Sequence, residues 1–252
     1  MDEKEIENLR KVYNREHPSE KPIVAGNGVW KEIRKRLHKK CSEGTKECII
    51  NAMISKPNAP ASWEKNPQEW LSSLDIDKLE KEYVKLFPLY AFLGCIPIDF
   101  DKKSETGRCL VDSLCSIQIK QLFDKGYRQI GIVFNTDVST GPGQHWISIF
   151  CDIRPEVEYP RFTYFDSYAQ KPEKEIQRLM KRWKDQWDAT GIHNKKMVLS
   201  YNKTRHQYED SECGMYCLYF HYCCLLDIPM DERVPDSVVR SFRGLLFHVG
   251  KK

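Results

Sequence analysis

The stretch Gln207-Tyr208-Glu209-Asp210-Ser211-Glu212-Cys213-Gly214-Met215-Tyr216-Cys217-Leu218-Tyr219-Phe220 passes from a polar run into an apolar one that continues to Leu226. That apolar run is interrupted by His221 and is shorter than the roughly 20 residues of a membrane span, so it predicts a buried helix over 213–226. Asp210 or Ser211 can cap it. A thiol is a strong nucleophile only as thiolate, a form favoured at a helix N-terminus beside an imidazolium. Cys213 has such a position, and Gly214 beside it leaves room for a substrate backbone to approach. The competing reading is a packed core cysteine, which suits Cys217 and Cys224, seven apart on one helical stripe.

A nucleophile needs a base, and the base needs an orienting group. Residues 130–135, 144–152, 161–166 and 197–201 are short, rich in Ile, Val, Phe and Tyr, and bounded by turn residues, so they predict strands. His145 begins the second of these and Asp166 ends the third. Antiparallel pairing with 145 opposite 166 would put both side chains on one face, where the carboxylate can fix the imidazole tautomer. Taken singly, His145 is an ordinary strand histidine and Asp166 a turn residue. Gln207, six residues before Cys213, can donate its amide to a tetrahedral oxyanion beside the Cys213 backbone N–H. Alone it would pass as a surface residue.

Around this centre, residues 55–62 carry Pro57 and Pro60 among small polar residues and predict a linker, with a boundary near residue 60. A helical arm, 1–60, precedes it in three short patterns, the first carrying Ile6, Leu9 and Tyr13. The catalytic part, 61–252, opens with a helix in which Asp75 can cap, Ile76, Leu79, Tyr83 and Leu86 share a face, and Pro88 terminates. Helices over 171–187 and 235–248 complete an α+β layered arrangement.

The chain has 252 residues, 40% hydrophobic and 30% charged, a globular composition rather than a fibrous or disordered one. Net charge is +4, too mild to make nucleic acid the main partner. The dense basic stretch 31–40 places Trp30, Ile33, Leu37 and Cys41 at helical spacing, so its cations predict a solvated face in preference to a phosphate-binding patch. Met1-Asp2-Glu3-Lys4-Glu5 offers no apolar secretory segment, and the ten cysteines are expected as free thiols on the reducing side of a membrane. No Cys-x-x-Cys pair points to zinc, and the Asn202-Lys203-Thr204 sequon carries no glycosylation signal in that compartment.

Gln144-His145-Trp146, then Tyr164-Phe165-Asp166-Ser167, then Gln207 followed at the sixth position by Glu212-Cys213-Gly214, resembles the Ulp1/adenain-type cysteine proteases in order and spacing. The order His, Asp, Cys opposes a papain-type enzyme, whose nucleophile comes first; only 39 residues follow Cys213. Gly131 to Asp137, Ser139-Thr140-Gly141 and Arg205-His206-Gln207 add similarity to the viral polyprotein-processing branch typified by African swine fever virus, which has Asn where this chain has Asp166. The resemblance implies a central mixed sheet flanked by helices with an N-terminal helical arm. It also implies catalytic His145, Asp166 and Cys213, oxyanion-binding Gln207, and substrate-binding Trp146 and Gly214 along a narrow channel for Gly-Gly. The implied activity is cleavage of viral structural polyproteins after Gly-Gly during virion maturation, at host cytoplasmic assembly sites and in the virion. A SUMO- or ubiquitin-like isopeptidase is the alternative. No metal or organic cofactor and no membrane is called for. A catalytically dead module bound to nucleic acid through 31–40 would be a different class, opposed by four polar site residues occurring together.

Overall fold

The computed structural model describes residues 3–248. Its centre is the antiparallel pair β2 (Gln129–Asn135) and β3 (Trp146–Asp152), whose alternation of apolar side chains supplies both sheet faces. β4 (Arg161–Phe165) pairs antiparallel with β3, while β1 (Tyr90–Pro97) and β5 (Val198–Tyr201) add parallel at the two edges, giving the order β1-β2-β3-β4-β5. The mixed sheet flanked by helices is the expected α+β architecture. β1 was not expected as a strand. Gly94, at φ +108°, and Pro97 break its pattern, and its register shifts between Phe92 and Cys95, irregularities that an edge strand tolerates.

One sheet face presents Ile130, Ile132, Ile147 and Ile149 to α7 (Lys174–Thr190), which buries Trp183 and Trp187. Gly191 at φ +66° caps that helix. The short α5 (Asp112–Ser116) and α6 (Ile119–Asp124) lie between β1 and β2 in sequence. The other face carries Val133, Phe150 and Phe165 against α8 (Cys213–Leu226), in which 12 of 14 residues are buried, as the apolar run predicts.

A buried polar network pins α8. His221 Nε2 donates to the Ile149 carbonyl (3.0 Å), and Nδ1 lies 2.6 Å from a carboxylate oxygen of Glu80 in α4 (Ser73–Leu86). Tyr90 donates its hydroxyl to the other Glu80 oxygen. Gly131 is the only residue type that fits beneath, because a Cβ there would run into the Tyr90 hydroxyl and His221. At the start of α4 the cap is Ser72, not Asp75. Asp75 is instead the third helical residue of a capping box: its carboxylate accepts from Ser72 N–H, and Ser72 Oγ accepts from Asp75 N–H.

The arm comprises α1 (Glu3–Glu16), α2 (Val29–Leu37) and α3 (Lys46–Met53). Its Leu9, Tyr13, Ile33 and Ile50 belong to the same apolar cluster as Leu79, Tyr83 and Leu218. α2 buries Val29, Ile33 and Leu37 and exposes Lys31, Arg34 and Lys35, while Arg36 turns inward to Glu32 (2.8 Å). The linker runs along α9 (Asp236–Leu246): Lys56 Nζ donates to the Gly244 carbonyl, and Ala59 N–H to that of His248.

The expectation of ten free thiols fails at two pairs. Cys41–Cys48 and Cys109–Cys115 are disulfide-bonded, with Cα–Cα separations of 5.6 and 6.4 Å. The chain turns back between each pair, bringing the two Cβ atoms within bridging range. Of the six cysteines left free, Cys217 is buried and Cys224 partly so. No described helix is long and apolar enough to cross a membrane.

Candidate active site

Three chain segments meet at one end of the sheet: the residue before β3, the residue after β4 and the first turn of α8. Ser148 pairs with Phe165. Continuing that register puts His145 opposite Tyr168 and diagonal to Asp166, two residues from the direct opposition expected. Because side chains alternate with period two, a shift of two keeps them on one face. His145 Nε2 donates to Asp166 Oδ1 at 2.7 Å, and the Tyr168 ring stacks on the imidazole at 4.9 Å.

Asp166 is 1% exposed but well supplied with donors. Its Oδ1 also accepts from Tyr168 N–H and its Oδ2 from Gln170 N–H, both at 3.0 Å. Asn202 braces this turn from β5, accepting from Asp166 N–H and donating to the Asp166 carbonyl.

Cys213 is the first residue of α8 and is 2% exposed. Neither Asp210 nor Ser211 caps that helix, contrary to expectation. The cap position is Glu212, with no side-chain cap bond, because its carboxylate is drawn away to Arg243 (2.9 Å). The helix head therefore keeps backbone N–H groups uncovered by a side chain, as an oxyanion would require. Burial pushes the His145 imidazole down in pKa. Hydrogen bonding to Asp166 and to Cys213 outweighs burial and raises it to about 9. With Nε2 held by Asp166, Nδ1 is the nitrogen left for the thiol.

Gln207 is fully buried rather than at the surface. Its Oε1 accepts from Ser167 Oγ–H (2.6 Å), which orients the amide, and Nε2 donates to the Glu209 carbonyl (2.5 Å), leaving a second N–H on the same nitrogen. The Ser167 carbonyl accepts from both His206 and Gln207 N–H, docking this loop on the Asp166 turn. His206 itself is buried, accepts from Val234 N–H through Nδ1, and is pushed down in pKa by burial and by Arg233. It stays neutral and is built into the loop, not poised as a second base.

Trp146 donates its indole N–H to the Leu71 carbonyl (2.9 Å). A Cβ added to Gly214 would lie 3.1 Å from Leu71 Cβ and 3.2 Å from Trp146 Cδ1. Leu71 and Trp146 thus crowd Gly214, the residue next to the candidate nucleophile. The structure brings together His145, Asp166 and Cys213, with Trp146 and Gly214 in contact beside them and Gln207 held on the Asp166 turn. Sequence reasoning missed Leu71, Tyr168, Asn202 and Ser167. The quoted motif Tyr164-Phe165-Asp166-Ser167 contained the last, and Asn202 was visible only as a sequon. A groove of about 580 Å³ between β4, β5 and the C-terminal half of α8 is lined by Asn202 but by none of His145, Trp146, Asp166, Gln207, Cys213 and Gly214. Among the described residues, no three His, Cys, Asp or Glu side chains converge as a metal site.

Residues 115–247, the segment holding all three triad candidates, match the Ulp1 protease family, C-terminal catalytic domain. The chain belongs to the Ulp1 protease family. Among curated relatives, a protein of Acanthamoeba polyphaga mimivirus named as a thiol protease is 32% identical over 71% of this chain and 57% of its own length. The cysteine protease of African swine fever virus is 35% identical over 47% of this chain and 44% of that protein. The chain therefore spans about half the length of these relatives. The crystal structure of the African swine fever virus protease superposes with a TM-score of 0.65 at 21% identity, covering 93% of this chain and 95% of that one, a likeness of fold.

Proposed function

We propose that this Ulp1-family chain is a viral cysteine endopeptidase that cleaves structural polyproteins after Gly-Gly during virion maturation, at cytoplasmic assembly sites and in the virion. Cys213 is the nucleophile, His145 the general base and Asp166 the orienting carboxylate. His145 holds the thiol proton on Nδ1 before substrate arrives while Nε2–H stays on Asp166, and the thiolate of this ion pair adds to the scissile carbonyl. The oxyanion meets the Cys213 backbone N–H and the free N–H of Gln207 Nε2. His145 then returns its proton to the leaving amine, and water releases the acyl group.

The observation that carries the substrate reading is the crowding of Leu71 and Trp146 against Gly214. A Cβ at Gly214 would sit only 3.1–3.2 Å from Leu71 and Trp146, and packing that close beside the nucleophile favours a substrate segment without side chains, of which Gly-Gly is one. The name SUMO-1 cysteine protease, given to several of the African swine fever virus relatives, keeps a second reading in view: an isopeptidase acting on a ubiquitin-like protein ending in Gly-Gly. Incubation with a Gly-Gly-X peptide beside SUMO and ubiquitin carrying a C-terminal fluorophore separates the two. Turnover of the peptide within about tenfold of the protein substrates supports the endopeptidase. Turnover confined to SUMO or ubiquitin supports the isopeptidase, and turnover of none refutes both.

A further inference from the structure

Arg243, in the last turn of α9, is 4% exposed, and its guanidinium bonds three acceptors on two separate chain segments, Glu69 on one and Ser211 and Glu212 on the other. Nε donates to the Glu212 carboxylate (2.9 Å), Nη2 to the Ser211 carbonyl (3.4 Å) and Nη1 to the Glu69 carbonyl (2.8 Å). Its Cζ lies 4.6 Å from the centroid of the Trp63 ring, a cation–π contact. Two of these contacts hold the residues immediately before Cys213. The third holds the segment before α4 that, two residues later, gives the Leu71 carbonyl to Trp146 and the Leu71 side chain to Gly214.

We propose that Arg243 is a positioning residue of the peptidase site: one guanidinium sets the spacing between the channel wall, 69–71, and the head of the helix carrying Cys213. This rests on the endopeptidase reading above. The geometry suits an arginine because its three acceptors lie on two chain segments remote in sequence, Glu69 on one and Ser211 and Glu212 on the other, and a forked cation with five N–H groups can serve them at once. The rest of α9 reinforces the assignment. Asp236 at its other end accepts from Tyr208 and Glu209 N–H, so the helix lies along the whole loop from Gln207 to Glu212. A purely structural alternative exists, in which Arg243 only neutralises the buried Glu212.

Arg243→Lys separates the two, since an ammonium can still neutralise Glu212 but cannot bridge to Glu69. In the folded variant, amides in peptides covering 66–72 and 208–216 should exchange with deuterium at least about tenfold faster while those of β2 and β3 stay unchanged. KM for a Gly-Gly-X peptide should rise about five- to twentyfold, with iodoacetamide labelling of Cys213 within about twofold of the parent. Unchanged exchange at 66–72 with unchanged KM overturns the proposal and leaves charge neutralisation as the role of Arg243. Should the lysine variant not fold, Arg243→Gln combined with Glu212→Gln removes both charges together and carries the same comparison. If the parent protein cleaves no Gly-Gly peptide, the endopeptidase reading falls, and exchange at 66–72 still decides whether Arg243 ties the wall to the helix.

Discussion

Replacing Asp166 by Asn removes the charge facing His145 and leaves the shape nearly intact. The carboxylate accepts from three N–H groups: His145 Nε2 (2.7 Å) and Tyr168 N (3.0 Å) on Oδ1, and Gln170 N (3.0 Å) on Oδ2. An Asn amide has one acceptor oxygen. If it keeps facing His145, the new NH₂ confronts Gln170 N–H, donor against donor. Gln170 is exposed, so water can take part of that loss, and the cost to stability is about 1–2 kcal/mol, or roughly 2–8 °C in Tm. The catalytic cost follows from the change of a charge-assisted hydrogen bond into a neutral one, about a factor of two in strength. In a serine triad the same change costs about 10⁴ in kcat because the wrong imidazole tautomer is held. Here His145 is already raised to about 9 with Cys213 contributing, so an imidazolium with two donor nitrogens can persist and an Asn carbonyl can accept from one. Asp166→Asn should therefore lose roughly 10- to 100-fold in kcat/KM, whereas His145→Ala falls to background. The assay is hydrolysis of a fluorogenic Gly-Gly peptide at matched concentrations of protein shown folded by circular dichroism. An Asp166→Asn protein that is folded yet as inactive as His145→Ala would falsify the preformed ion pair and make the charge indispensable.

Iodoacetamide at pH 6.5 should label Cys213 ahead of the other five free cysteines, read by peptide mapping, and preferential labelling elsewhere removes it as nucleophile. Gln207→Ala should lower kcat by roughly 10- to 1,000-fold with little change in KM; an unchanged kcat takes Gln207 out of the site. Because folding raises His145 from its ordinary value near 6.5 to about 9, its contribution to stability is complete below about pH 6.5 and is lost as pH rises through about 9. Tm measured from pH 6 to 10 should fall with that loss, of the order of 3 kcal/mol, in the parent but not in His145→Ala. Gly131→Ala should destabilise the protein by about 3 kcal/mol or more through overpacking against Tyr90 and His221, and a Tm within 2–3 °C of the parent contradicts the packing described.

The residues of the proposed catalytic centre were legible because their chemistry is written locally. Cys213 stands where a polar run meets an apolar one, His145 and Asp166 flank short strand-like runs, β2, β3 and β4 follow from runs rich in Ile, Val, Phe and Tyr bounded by turn residues, and α8 from the length of its apolar run. The same local logic hid β1, whose Gly94 and Pro97 erase its alternation, and it paired position 145 directly with 166, since a register shift of two leaves the hydrophobic pattern unchanged. It also left Cys41, Cys48, Cys109 and Cys115 as thiols, because disulfide pairing depends on where the backbone turns. Only the tertiary structure placed Leu71 against Trp146 and Gly214, and Arg243 on Glu69 at a separation of 174 residues. Period and capping are set within a turn or two of chain, whereas a carbonyl accepting from a side chain far along the sequence leaves no mark on the residues around it. The proposed nucleophile and its base could thus be read from the chain, but the packing of Leu71 and Trp146 around them is decided by the tertiary structure.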